Sequence, residues 1–267
     1  MKLRNFLLIL LFLFPSVLNA QSLKDRIEVF IEKRQEKIAL TDKYQISGPV
    51  LSYGSLQDQR ISPLIYPGPG AGIYWTTFKI SPKWTTIHDL RLQYNHLQGP
   101  STLNSQFRSP QGRLESSFLR HIRSDSWAAG GGISGEYTAN FYDKLENDSF
   151  HGDGVVSLNA VASYTEEFPL LKREAWFRSS LIVPVFSYIN RFPDYNIGGM
   201  EHILAGPGSY RRLGLKAELV KLMKHSKENR VSISYEWDFW HLTNEDEGLP
   251  VRTANHRLRI GFWLKRM

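Results

Sequence analysis

RVSISYEWDFWH, residues 230–241, and HRLRIGFWLKRM, residues 256–267, decide the fold. In the first, Val231, Ile233, Tyr235, Trp237 and Phe239 share one face of an extended strand, and Ser232, Ser234, Glu236 and Asp238 the other. In the second, Leu258, Ile260, Phe262 and Leu264 oppose Arg257, Arg259, Gly261, Trp263 and Lys265. Both stretches have a period of two, which predicts neighbouring strands with one apolar, aromatic face and one charged face. Acids lie on the first charged face and bases on the second, so the two charged faces are matched.

Working back along the chain, the same alternation recurs. Thr86–Leu97 sets Leu90, Leu92 and Tyr94 against Asp89, Arg91, Gln93 and Asn95; Trp127–Tyr142 alternates from end to end, with Glu136 on its polar side. Val155–Glu166, Glu174–Ile189 (with Pro184 as a local irregularity) and Tyr210–Met223 repeat it. Ala71–Ile80 is Thr- and aromatic-rich, Arg113–Arg123 is a weaker case, and Ile46–Tyr53 supplies a first strand, ten in all. Tyr66-Pro67-Gly68-Pro69-Gly70 reads as a chain breaker ahead of the second strand.

From the second strand onward the connections run short, then long: residues 81–85, 98–112, 124–126, 143–154, 167–173, 190–209, 224–229 and 242–253. A sandwich or a lipocalin has no reason to keep that order over so many links. An up-and-down sheet with turns on one rim and extended loops on the other does. These features resemble bacterial, Gram-negative outer-membrane β-barrel proteins as a class, a likeness carried by the alternation, the loop asymmetry and the aromatic terminal strand His256–Leu264. The chain departs from the class in ending Lys265-Arg266-Met267 where an aromatic residue is usual.

The N-terminus fits that address. Lys2 and Arg4 precede an apolar run, Phe6–Phe14, too short to span a bilayer as a helix, and Ala20 offers a cleavage site. Residues 1–20 are therefore expected to be a signal peptide. Leu23, Ile27, Phe30, Ile31 and Ile38 recur at helical spacing, so residues 21–43 are read as a short periplasmic helical segment, whether a lead-in, a lumen plug or a surface helix. Residues 44–267 form the barrel. The chain has no cysteine, so no disulfide holds it, and a closed ladder of strand hydrogen bonds is one alternative. A formal net charge of +7 is mild and spread along strands, which speaks against a nucleic-acid partner and is compatible with an anionic one such as lipopolysaccharide.

The expected fold is thus all-β: an antiparallel up-and-down transmembrane barrel of about ten strands, within a range of eight to twelve, after a short N-terminal helix. Apolar faces then meet lipid, with Trp127, Tyr142, Tyr164, Tyr188, Trp237 and Trp240 at headgroup level. By parity Glu136, Arg178, Arg212, Lys216, Glu218, Glu236, Asp238, Arg257 and Arg259 line the interior. They form either a salt-bridged filling that props the wall or a basic constriction that selects anions.

The two catalytic signatures of barrel enzymes are absent from the sequence, which leaves only a triad assembled from distant strands, with His121 beside Glu115 and Ser117 or His241 beside Asp238 as its candidates. Barrel phospholipases and lipid A deacylases resemble one another in a His-x-Ser element, and none of the eight histidines has a serine two residues on. The Asp-x-Asp and Asp-x-His pairs of omptin-type proteases do not occur either. Glu245-Asp246-Glu247 lacks the spaced ligands of a calcium site, so no metal or cofactor is expected. The reading that follows is a monomeric outer-membrane barrel, a small non-enzymatic channel or a structural barrel, in contact with outer-membrane lipid, lipopolysaccharide and, during biogenesis, the outer-membrane assembly machinery. The alternatives are a lipid-modifying enzyme and a surface-exposed partner-binding barrel.

Overall fold

The computed structural model describes residues 42–58, 64–99, 105–122, 126–142, 149–170, 173–192, 201–223, 228–243 and 251–266. The expected signal peptide, residues 1–20, lies outside these residues, as does the expected helical segment 21–43 except for Asp42 and Lys43, which begin the first strand. The strands are β1 (Asp42–Asp58), β2 (Tyr66–Ile80), β3 (Trp84–Gln98), β4 (Gln106–Ile122), β5 (Trp127–Tyr142), β6 (Ser149–Leu170), β7 (Arg173–Phe192), β8 (Glu201–Ala205), β9 (Tyr210–Leu222), β10 (Arg230–Leu242) and β11 (Val251–Arg266). Every pairing is antiparallel, and β1 pairs with β11 from Lys43↔Arg266 to Asp58↔Val251, so the sheet closes on itself. A closed ladder leaves no edge to be satisfied by water, which is the condition for strands in hydrocarbon.

Ten strands make the wall, the ten read from alternation. The eleventh, β8, pairs with the outer half of β7 (Ser187↔Ala205 to Arg191↔Glu201), while β9 pairs with the inner half (Ala175↔Lys221 to Ile182↔Gly214). β8 therefore runs along the course that β9 continues, after a turn at Gly206 whose carbonyl accepts from the N–H groups of Ser209 and Tyr210.

The exposure pattern is that of a water-soluble protein turned inside out. In β3, Leu90, Leu92 and Tyr94 are 45–53% exposed, while Arg91 and Gln93 between them are 3% and 5% exposed. β10 and β11 do the same, with Ile233, Tyr235, Leu258, Ile260 and Phe262 outside and Ser234, Glu236, Arg257 and Arg259 inside. An exposed apolar band repeated around a closed wall is stable only against lipid, so the barrel spans a membrane.

Three readings of the sequence are corrected. Tyr66–Gly70 does not break the chain; it begins β2, paired to β1 alone because the β2–β3 register starts at Gly70. Pro67 and Pro69 have no N–H to give to β3, so the ladder on that side starts only at Gly70 although β3 lies alongside, where a Cβ on Gly68 would stand 1.9 Å from the His96 carbonyl oxygen. Second, β4 begins at Gln106 and β6 at Ser149, within stretches read as loops, and β8 lies inside the segment read as the longest one. Past the lipid the outer face has no need to be apolar, so alternation stops while the hydrogen-bond ladder continues. Third, Trp240 is 8% exposed and faces the bore, and Tyr142 packs on an interior cluster, so neither belongs to a lipid-facing girdle. Trp127 and Tyr164 do face outward, 4.9 Å apart between ring centres.

Two local irregularities shape the wall. Between Ser47↔Phe262 and Val50↔Arg259, Gly48 and Pro49 have no register partner in β11, and a Cβ on Gly48 would stand 1.8 Å from the carbonyl oxygen of Ile260. Only glycine allows that approach at the closing seam. In β7 the register with β6 shifts between Leu158 and Asn159, opposite Pro184 and Phe186. The extra residue, Val185, reverses parity: Arg178 and Pro184 point inward before it, and Ser187, Ile189 and Arg191 after it.

Candidate functional site

Three layers of side chains occupy the bore. The middle one is ionic and centred on β10, whose register sets Glu236 between Lys216 of β9 and Arg257 of β11. Asp238, 0% exposed, accepts from Arg212 at 2.9 and 2.6 Å, from Arg113 at 3.1 Å and from Arg257 at 3.4 Å. Glu236 accepts from Arg91 at 2.8 Å and from Arg257 and Arg259 at 3.4 Å each. β4 lies across the barrel from β10, so the Arg113 bond spans the bore. A ten-stranded barrel is wider than one that ordinary side chains fill, and long guanidinium arms supply the reach.

The network extends to the walls. Arg113 also binds Glu115 at 2.5 Å, Arg212 binds Glu136 at 2.9 Å, Arg259 binds Asp89 at 2.5 Å, and Arg178 binds Glu218. Lys216 lies 3.9 Å from Glu218. Asp89 also accepts from Thr76, and Arg257 Nε donates to Gln93 Oε1 at 3.0 Å. Seven bases (Arg91, Arg113, Arg178, Arg212, Lys216, Arg257, Arg259) thus face six acids (Asp89, Glu115, Glu136, Glu218, Glu236, Asp238). Nearly every charge is matched, which leaves little net field to select a passing anion. Desolvated charges persist only when paired in this way.

An apolar layer lies on each side. Toward the chain termini, Tyr44, Ile46, Val50, Tyr74, Phe78, Val220 and Trp263 form one cluster. Arginines are stacked into it: Arg178 lies 4.5 Å from the Phe78 ring centre, Arg230 3.6 Å from Trp176 and Arg259 3.7 Å from Tyr74. At the other end, Leu56, Tyr66, Leu97, Phe107, Ile189, Tyr210, Trp240 and Leu242 pack together, with Arg191 bound to Asp153 at 3.0 Å beside them. Between this cluster and the ionic layer is a cavity of about 10 Å³ lined by Asn95, Gln111, Asn140, Asp153, Thr253 and Asn255 among others. That is room for about one water molecule.

All nine charged residues assigned to the interior by parity lie there and belong to this one assembly. Asp89 and Arg91, on the polar face of β3 by the same alternation, join them. Arg191 and Asp153 carry no such signal, because alternation fades in the parts of β6 and β7 that hold them. Reach across the bore, as from Arg113 to Asp238, has no signal in a single strand's pattern.

Few polar contacts face outward in the lipid zone. His88 Nδ1 lies 2.9 Å from Ser116 Oγ, a cross-strand pair on the exposed side of β3 and β4 that a search for His-x-Ser cannot find. Acyl transfer at a serine also needs a group that orients the base and donors for an oxyanion. Among the described residues no carboxylate pairs with His88, and the strands on either side continue in register, which engages their N–H groups in the ladder. The described residues also hold no group of three or more His, Asp or Glu side chains suited to a metal ion.

No family model matches the sequence, and no curated protein does. Among solved structures, the chain is similar to the translocator domain of the autotransporter NalP from Neisseria meningitidis, at 11% identity and a TM-score of 0.49 over 91% of this chain and 96% of that one. It is also similar to the outer membrane protease OmpT from Escherichia coli, at 7% identity and a TM-score of 0.47 over 86% and 97%. An outer membrane channel from Pseudomonas putida F1 is similar at 8% identity and a TM-score of 0.35 over 85% and 96%. All three are outer-membrane barrels. At this level of similarity they carry no argument about what this chain does.

Proposed function

We propose that this chain is an integral outer-membrane barrel with a closed bore, a structural and partner-bearing wall protein and not a passive pore. The observation that carries the reading is the three-layered filling, in which Arg113 crosses the bore to Asp238 and the cavity beside that layer among the described residues is about 10 Å³. A hydrated ion needs far more than the volume of one water along its whole path. On this reading the chain reaches the membrane through a cleaved signal peptide, and its partners are outer-membrane lipid, lipopolysaccharide and the assembly machinery. Purified protein in planar bilayers is expected to show no discrete conductance steps. Steps of uniform size in the wild type would replace this reading with that of a channel.

One contact favours a second reading, a lipid-modifying enzyme: the His88–Ser116 pair on the lipid-facing wall. The closed-barrel reading expects Ser116→Ala to leave the phospholipid and lipid A mass spectrum of the envelope unchanged from wild type. Accumulation of an intact acyl lipid in that variant would make the pair a catalytic dyad.

A further inference from the structure

The outer wall carries a row of basic residues at the end of the barrel remote from the chain termini. In register, Arg211 of β9 stands opposite His241 of β10, which stands opposite Arg252 of β11. Their inward neighbours, Tyr210, Arg212, Trp240, Leu242, Val251 and Thr253, are all buried in the bore, so parity turns the three basic side chains outward. Adjacent strands are about 4.8 Å apart, which places the two arginines on either side of His241 across about 10 Å of wall.

Like charges set side by side on a sheet destabilise it unless something neutralises them. Among the described residues no carboxylate forms a salt bridge with Arg211 or Arg252, and His241 Nε2 is buried without a hydrogen-bond partner. The row therefore places two exposed guanidiniums on either side of a histidine whose buried ring nitrogen has no hydrogen-bond partner. Guanidinium forks match the oxygens of a phosphate.

What lies below the row identifies the kind of phosphate. Two residues down each strand come Leu213, Phe239 and Ala254, and Trp237 stacks on Phe239 at 6.2 Å with planes 12° apart. Level with Trp237 the wall carries Leu215 and His256, whose Nδ1 lies 2.6 Å from the Tyr235 hydroxyl, and beyond them Ala217, Tyr235 and Leu258. A free phosphate would gain nothing from an aromatic and aliphatic wall beneath it, whereas acyl chains attached to that phosphate would lie along it.

We infer that Arg211, His241 and Arg252 form a binding site for the phosphate of an outer-leaflet glycolipid of the lipid A type, whose acyl chains run down the Phe239–Trp237 wall. The inference rests on the outer-membrane reading above, which fixes this rim as the outward one. In the test, the full chain in detergent is titrated with bis-phosphorylated lipid A, dephosphorylated lipid A, phosphatidylglycerol and inorganic phosphate, read by the rise in unfolding temperature. The expected result is saturable stabilisation by lipid A, with at least tenfold weaker apparent affinity for each of the other three. Arg211→Gln with Arg252→Gln should weaken lipid A binding tenfold or more, and Lys79→Gln at the opposite rim should not.

Equal binding of the dephosphorylated lipid, or of inorganic phosphate, overturns the inference even if the double variant does not fold. So does unchanged lipid A affinity in a folded double variant, the result expected if the sequence-adjacent Glu245-Asp246-Glu247 is the true counter-charge. A chain that stays monomeric in water without detergent defeats the outer-membrane reading itself, so the two failures are separable.

Discussion

Asp238→Ala is expected to destabilise the barrel by about 3–5 kcal/mol, the cost of removing one partner from a buried ion pair. Asp238 is wholly buried and holds Arg212 through both carboxylate oxygens while also accepting from Arg113 and Arg257. Its removal leaves three guanidiniums with fewer counter-charges in a densely packed layer, beside a cavity with room for about one water molecule. On the closed-bore reading they cannot turn to bulk water, because an apolar cluster packs on each side of them. Asp238→Asn keeps the shape and a hydrogen-bond acceptor, so its loss should be smaller but still well above 1 kcal/mol. Urea unfolding of the detergent-folded barrel, followed by tryptophan fluorescence, measures both. A loss below 1 kcal/mol in the alanine variant would mean that the middle layer is not the dry, paired network described.

The double reversal Arg257→Glu with Arg259→Glu should have a larger effect: no folded barrel. Arg257 lies between Glu236 and Asp238, and Arg259 between Glu236 and Asp89. Reversal places two new carboxylates against these three within a desolvated layer, where each unpaired charge costs several kcal/mol. A selectivity filter would respond differently, with a folded protein and altered ion preference. The expected readout is loss of the heat-modifiable band in outer-membrane fractions, while Arg252→Glu on the outward face keeps that band. A folded double variant that conducts would move these arginines from scaffolding to selection.

Much of this was legible from period alone. Leu90, Leu92 and Tyr94 against Arg91 and Gln93 fixed both faces of β3, and the matched parity of Glu236 with Arg257 foretold their meeting. Period two is a property of backbone geometry, so one residue's side fixes that of its neighbours until a bulge intervenes. Val185 is such a bulge, and no composition rule marks it beyond the nearby Pro184. Trp240 was misplaced for a different reason: an aromatic near a strand end suits a headgroup girdle and an interior plug equally well, and only its parity distinguishes them.

The sequence by itself therefore determined a ten-stranded wall, its two faces and the set of charges it encloses, because these depend on alternation along each strand. Whether the bore is open depended on distances across it, between residues more than a hundred positions apart such as Arg113 and Asp238. The row Arg211, His241, Arg252 likewise exists only once register aligns three strands. Closure, filling and lateral alignment are set by long-range pairing, which local periodicity does not encode.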